Sequence, residues 1–455
     1  MKNKLHYPFL LFLTVIGMLF VLSALPRFSI GPLTFKTFDL LSDVREQPET
    51  VDSLVAQKIK ETEIPEAVVK KQDSIVQVIQ ETCPPGLTCI EDYSEKKNAL
   101  RHFLRALDNT KRNGSTLRVA FFGDSFIEGD VFCGSFRDTL QSVFGGRGVG
   151  YVPITSDVAG FRNTIKHRFS NWTTSTLINK RDSLAEIGPS GYCFIPRENN
   201  WVEYRPSRQR YLREFDEIRL YYKSLKDGML HYYIDTLEAT EPLTKSFKLQ
   251  EWRYQGKGHK TVRFEFFPYD SLWIYGASFE KAGGMYVDNF SLRGNSGMTL
   301  TSVKQDMYRE FNRYRKYKLV ILQFGLNLIV EESLNYNAYA KRMVKVIRQL
   351  KQAFPECSFL LLSISDKSSN VDGNYQTARA IPAMRNAQRL IAKETGIAFW
   401  DMYEAMGGEN SMVKYAEARP ALAAKDYTHL NFRGGKKLAG SLVKSLLYEA
   451  ERKKK

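Results

Sequence analysis

Two stretches at opposite ends of this chain hold residues suited to passing an acyl group. The first is Arg118-Val-Ala-Phe-Phe-Gly-Asp-Ser125-Phe-Ile-Glu-Gly-Asp130, in which four apolar residues run straight into Gly-Asp-Ser. Such a run reads as a buried strand ending at a tight turn, with Ser125 at the C-terminal edge where open α/β sheets bind ligands. A serine held at a strand-to-helix turn is exposed as a nucleophile, beside helix N-terminal amides that stabilise negative charge. The second stretch is Asp426-Tyr-Thr-His429-Leu-Asn-Phe-Arg-Gly-Gly435, and His429 is the only one of six histidines in an Asp-x-x-His setting. At that spacing the carboxylate can hold Nδ1–H while Nε2 faces outward, the base and orienter of a serine triad. The same pattern also describes a helix-start aspartate beside a surface histidine.

The elements that must position these residues follow from hydrophobic spacing. A helix is expected over Lys97–Asn109, then the Ser125 strand. The next helix, Val131–Phe144, puts Phe132, Phe136, Leu140 and Phe144 on one face and stops at Gly145-Gly146-Arg147-Gly148. Between about 155 and 281 the texture changes to short β-branched and aromatic stretches, namely 191–195, 217–222, 229–234, 261–267 and 271–276. Separated by Gly, Pro, Asp and Lys turns, they predict an all-β sandwich inserted into a loop of the α/β body. After 285 the α/β rhythm returns. Strands are expected at 318–324 (ending in Gly325-Leu-Asn327), 358–363 and 397–401, with helices at 338–354, 378–394 and 434–451. That alternation implies a parallel sheet covered on both faces.

The chain has 455 residues, 43% of them hydrophobic and 13% aromatic, enough for a large core and too apolar for a mostly disordered protein. Its net charge of +16 is scattered, with Arg452-Lys-Lys-Lys455 the only dense run, and no nucleic-acid-binding signature accompanies it. Nucleic acid is therefore not an expected partner. Met1–Tyr7 is a short basic start, and Pro8–Leu25 then runs 18 residues without a charge, long enough to span a bilayer as a helix. Basic residues ahead of it put residues 1–7 in the cytoplasm, 8–25 in the membrane as a signal anchor, and the rest outside the cytoplasm. The runner-up is a cleaved signal peptide. Residues 26–95, with alternating charges and loose helical spacing, read as a stalk. In an oxidising space Cys83 and Cys89, turned back on each other by Pro-Pro-Gly, suit a local disulfide. No second Cys or His pair stands at zinc spacing, so no metal or cofactor is implied.

Together, Gly123-Asp124-Ser125, Gly325-x-Asn327 and Asp426-x-x-His429 resemble the blocks of the SGNH (GDSL-type) hydrolases, in that family's order. The family's remaining glycine block best matches Val287–Gly297, with Gly294 ahead of Gly297. The resemblance covers 96–154 and 282–455 as two parts of one hydrolase domain. It implies a three-layer α/β/α fold with the 155–281 segment, jelly-roll-like and similar to a carbohydrate module, inserted between them. It also implies Ser125 as nucleophile, His429 as base and Asp426 as orienter, with an oxyanion hole from the Ser125 and Gly294 N–H groups and the Asn327 side chain. One position departs: the family's block is usually Gly-x-Asn-Asp, and Leu328 stands where the Asp would be.

A narrower resemblance, to the peptidoglycan O-acetylesterases of the Gram-negative periplasm, rests on three further stretches. These are Gly129-Asp-Val-Phe, Val143–Pro153, and Phe399-Trp-Asp-Met-Tyr-Glu-Ala-Met-Gly-Gly408. It implies a serine esterase that deacetylates an envelope polysaccharide. Two rivals use the same residues differently. One is an O-acetyltransferase fed by a membrane acetyl-transfer partner; the other is a non-catalytic glycan-binding protein, for which Leu328 is the main support. Gly-x-Ser-x-Gly, His-Glu-x-x-His and Walker A motifs are absent, which speaks against the standard α/β-hydrolase, zincin and P-loop readings.

Overall fold

The computed structural model describes residues 83–453 except 183, 268–270 and 331–332, together with Thr14, Met18 and residues 28–30 and 33–35. The chain divides into two compact units, Met1–Thr50 and Val51–Lys455. In the first, β1 (Phe28–Ile30) pairs antiparallel with β2 (Leu33–Phe35). Thr14 and Met18 are helical and exposed. The remainder of the expected anchor, and most of the stalk, lie outside the described residues. Among those described, no helix is long and apolar enough to cross a membrane.

The second unit is built on a six-stranded sheet in the order β14-β4-β15-β16-β19-β3. Its strands are β3 (Glu91–Asp92), β4 (Thr116–Gly123), β14 (Gly284–Ser291), β15 (Leu319–Gln323), β16 (Ser358–Leu362) and β19 (Ala398–Trp400). All are parallel except the edge strand β3. The chain leaves β4 for β14 on one side and returns to β15 on the other, so the strand order switches at β4, which ends beside Ser125. Gly123 stands level with Ser291 and with Gln323. The residues that follow β4, β14 and β15 therefore emerge at one edge, the ligand-binding edge of such sheets.

Side-chain alternation along β4 assigns the helical layers. Phe121 meets Phe132, just ahead of α2 (Cys133–Phe144), and Phe136 within it, while its neighbour Phe122 meets Tyr308 of α3 (Gln305–Arg315) on the other face. Packed with α3 are α4 (Asn337–Ala353) and then α5 (Ile381–Thr395), and the long C-terminal helix packs on α2. The first helix, α1 (Arg101–Asn113), starts later than its spacing predicts. The Asp92 carboxylate accepts hydrogen bonds from the Ser94 and Ala99 amides at 3.0 Å each, which holds 94–99 in turns. Similarly, α2 starts at Cys133 because Gly129 and Asp130 hold φ of +64° each, a break in helical geometry.

Two short helices, α6 (Met402–Met406) and α7 (Ser411–Glu417), lead to α8 (Phe432–Arg452), which Asn431 caps through bonds from the Arg433 and Gly434 amides. Glycine is needed at the start of α8. A Cβ at Gly434 would lie 2.0 Å from the Leu422 carbonyl oxygen, and one at Gly435 2.1 Å from that of Val131. The loop before α8 is thereby pressed against the segment after Ser125.

The strands from 150 to 280 form one nine-stranded sheet, antiparallel at every pairing. They are β5 (Gly150–Val152), β6 (Ile165–Thr176), β7 (Tyr192–Pro206), β8 (Phe215–Ser224), β9 (Gly228–Ile234), β10 (Leu237–Leu243), β11 (Ser246–His259), β12 (Val262–Phe267) and β13 (Leu272–Glu280). The expected sandwich is thus one continuous hydrogen-bonded sheet. It has its own core, and it also shares the core of the α/β body: along β13, Leu272, Ile274 and Phe279 face the former while Trp273 and Tyr275 face the latter.

Where β13 meets β14, charges are buried. Arg315 bonds Glu280 at 2.6 Å and Asp288 at 2.7 Å, all three side chains being at most 1% exposed. Arg118 also binds Glu280 (2.5 Å), and the Tyr317 hydroxyl donates to Asp288 (2.6 Å). Removing one partner from such a set strands the others without water. Arg315→Met is expected to cost about 3–5 kcal/mol in denaturant unfolding, far more than loss of an exposed pair.

Candidate active site

The turn after β4 and the loop before α8 bring together residues 304 positions apart in sequence. Ser125 Oγ lies 3.3 Å from His429 Nε2, and His429 Nδ1 lies 2.7 Å from Asp426 Oδ2. The second oxygen of Asp426 accepts from the backbone amides of Thr428 (2.9 Å) and His429 (3.0 Å). Partial burial pushes this carboxyl up, but the hydrogen bonds from His429 and the two amides outweigh it and hold it down at about 2. An ionised Asp426 accepts a hydrogen bond from Nδ1–H, leaving the Nε2 lone pair to accept from the Ser125 hydroxyl. That order of donors is the one a serine nucleophile and its histidine base require.

The loop is braced from outside. Tyr427 sits at φ +53°, and its ring stacks on Tyr375 with centroids 3.8 Å apart. Tyr375 belongs to a hairpin of β17 (Ser368–Val371) and β18 (Asn374–Thr377), whose Ser368 amide donates to the Tyr427 carbonyl.

Gly294 lies in the turn after β14, at φ +72°. Two backbone bonds shape that turn: Leu292 N–H donates to the Gly123 carbonyl, and Asn295 N–H to that of Leu292. From the turn after β15, Asn327 Nδ2 reaches Asp124 Oδ2 and the Asn295 carbonyl, at 3.3 Å each. Leu328 is buried among apolar side chains, so Asn327 is held from the Gly-Asp-Ser turn and the glycine block. The residues expected to act on an acyl group thus converge on one edge of the sheet.

Asp124 is fully enclosed. Burial drives its carboxyl from 3.8 up to about 7, against the opposing pull of the Phe126 amide and of His429. Between those values the unfolded chain has lost this proton while the folded protein keeps it. The group's favourable contribution is therefore complete below about pH 3.8 and is lost as pH rises through about 7. Asp124→Asn is expected to remove that share of the fall in stability, visible as a flatter dependence of Tm on pH across the window.

Residues that sequence reasoning passed over complete the site. A cleft of about 230 Å³ contains Ser125 and His429, with Glu128 and Arg293 on one wall and Phe126, Val158, Phe161 and Leu430 among its apolar residues. Glu128 follows Ser125 by three positions and Arg293 adjoins Gly294, so both lay inside recognised blocks without a chemical signal of their own. Phe161 lies in a loop with none.

Residues 269–437 match the family model of GDSL-like lipases/acylhydrolases, a span that holds Gly294, Asn327, Asp426 and His429. Among solved structures, a peptidoglycan O-acetylesterase matches with a TM-score of 0.65 at 19% identity, covering 80% of this chain and 99% of that one. A family two carbohydrate esterase from Cellvibrio japonicus matches at 7% identity and TM-score 0.27, covering 63% of this chain and 98% of its own. An acetyl xylan esterase from Geobacillus stearothermophilus is 20% identical at TM-score 0.27, over 36% of this chain and 73% of its own. No curated protein matches the sequence. The chain carries an SGNH hydrolase domain of the GDSL-like lipase/acylhydrolase type and is an esterase whose fold resembles that of a peptidoglycan O-acetylesterase.

Proposed function

We propose that this esterase removes O-acetyl groups from a cell-envelope polysaccharide, peptidoglycan first among them, through an acetyl-Ser125 intermediate. The observation that carries the reading is the Ser125–His429–Asp426 hydrogen-bond chain opening into a cleft. Ser125 Oγ attacks the ester carbonyl as its proton passes to His429 Nε2. The resulting oxyanion faces the Ser125 and Gly294 amides and the Asn327 side chain, whose two existing contacts are long and yield to a charged acceptor. Collapse expels the sugar oxygen, which takes the proton back from Nε2. Water, deprotonated by the same nitrogen, then attacks the acetyl group and releases acetate.

Hydrolysis is preferred to acetyl transfer because the site is wet: the His429 and Asp426 side chains are 44% and 48% exposed. A transferase must keep water from its acyl-enzyme. The intact hydrogen-bond chain weighs against a purely glycan-binding role. The nine-stranded sheet is proposed as an inserted carbohydrate-binding module; Trp201 and Arg263, stacked at 4.5 Å on neighbouring strands, support that reading. Placement in the periplasm behind an 8–25 anchor rests on the sequence alone.

The test is acetate release by the full chain from O-acetylated peptidoglycan, from acetyl xylan and from an aryl acetate. Turnover of peptidoglycan at the highest kcat/KM is expected. Preference for acetyl xylan would move the substrate to a plant-type glycan, and turnover of the aryl ester alone would remove glycan deacetylation from the reading.

A further inference from the structure

The wall of the Ser125 cleft is built for a particular kind of alcohol. Phe161 is 55% exposed, an unusual state for a large aromatic ring beside a nucleophile. The ring is held from below. It stacks on Phe432, the first residue of α8, at 5.0 Å and 25°, and a Cβ on Gly129 would come within 2.8 Å of it. Its neighbour Arg162 is tied to the buried Asp130 carboxylate at 2.8 Å. The ring is therefore a fixed, half-exposed apolar surface in the cleft lining. Lining the same cleft, Arg293 Nη2 bonds the Glu128 carboxylate at 2.5 Å while the Arg293 side chain stays 57% exposed. A guanidinium has five N–H donors, and this contact leaves others for a ligand.

A flat apolar platform sharing a cleft with a paired Arg and Glu suits a pyranose: ring C–H groups stack on the aromatic face, and hydroxyls meet both donor and acceptor. A fatty chain would leave the charged pair without partners, at a desolvation cost. Charge narrows the choice further. The carboxylates of Glu128, Asp157 and Asp426 act around the cleft, with Arg293 the one arginine or lysine lining it among the described residues. A sugar with a free carboxylate beside its ester would meet net repulsion.

We propose that Phe161 and the Glu128–Arg293 pair form a subsite for an uncharged pyranose carrying the ester, which rests on the glycan esterase reading above and names its substrate class. Phe161 and Arg293 are then specificity-determining residues of this reaction.

The test measures kcat/KM of the full chain and its variants on O-acetylated peptidoglycan, acetyl xylan, O-acetylated alginate (a uronate polymer) and an aryl acetate. Phe161→Leu, which keeps apolar cover over Gly129, is expected to lower the ratio of peptidoglycan to aryl acetate turnover about tenfold, the worth of one good ring contact. Phe161→Trp should restore the ratio, and Arg293→Gln should lower it through KM. Wild type should favour acetyl xylan, an uncharged polymer, over alginate at low salt. An unchanged ratio in Phe161→Leu, or a preference for alginate, overturns the subsite while the esterase stands. Serine-dependent turnover of the aryl acetate with no glycan deacetylated overturns both the subsite and the glycan esterase reading.

Discussion

Ser125→Ala and His429→Ala are each expected to lower kcat for ester hydrolysis by at least about 10⁴-fold, and the double variant should be little worse than either single one. The reason is that the pair acts as one device. Without the hydroxyl there is no acyl-enzyme; without Nε2, 3.3 Å away, the hydroxyl keeps its proton and does not attack. What survives is the rate from the oxyanion donors and from binding. The fold should survive as well. Ser125 and His429 are both partly exposed and neither belongs to the buried ion network, so unchanged unfolding curves separate a chemical loss from a structural one. Single-turnover acetate release is the measurement. A Ser125→Ala enzyme that kept its rate would place ester cleavage on another residue.

Much of this arrangement was legible because chemistry-bearing residues stood at strand ends. β4, β15 and β16 are near-continuous apolar runs buried on both faces, and each of their boundaries came within two residues of expectation. Asp426-x-x-His429 before a glycine-rich helix start was legible for the same reason, since Gly434 and Gly435 mark the close backbone approach that delivers His429 to Ser125. β14 was missed. Its Asp288 and Asn289 look like turn residues until Arg315 and Tyr317 are seen to satisfy Asp288, and partners 27 and 29 positions away leave no local trace. Helix α3 hid behind charge, because only Met307, Tyr308, Phe311 and Arg315 face inward. In β11 Leu249 and Trp252 are the buried residues, too few to show alternation. The support for Asn327 was illegible in principle. The sequence invited a search at position 328, where Leu328 is packed in the core, while the contacts come from Asp124 and Asn295. The cleft wall was illegible too, since Glu128, Phe161 and Arg293 come from three separate segments.

Asp426→Asn is expected to lower kcat/KM by about 10³-fold and, unusually, to be worse than Asp426→Ala at about 10²-fold. Both losses should be smaller than the Ser125 and His429 effects, because Asp426 is half-exposed and water partly replaces it. The ordering follows from the hydrogen bonds. One oxygen of Asp426 accepts from the Thr428 and His429 amides, and the other faces His429 Nδ1. Asparagine can keep the first pair of bonds only by turning its oxygen to them, which aims its NH₂ group at Nδ1. The imidazole must then accept there and carry its proton on Nε2, against the Ser125 hydroxyl, so the base is lost. Turning the amide the other way restores the tautomer but gives up both backbone bonds. Alanine forces neither outcome: water can accept from Nδ1–H and the productive tautomer remains available, with only the fixed carboxylate's support of the imidazolium removed. Paired kcat/KM values on an aryl acetate decide the matter. An asparagine variant more active than the alanine one would mean that charge, rather than tautomer, is the main contribution of Asp426.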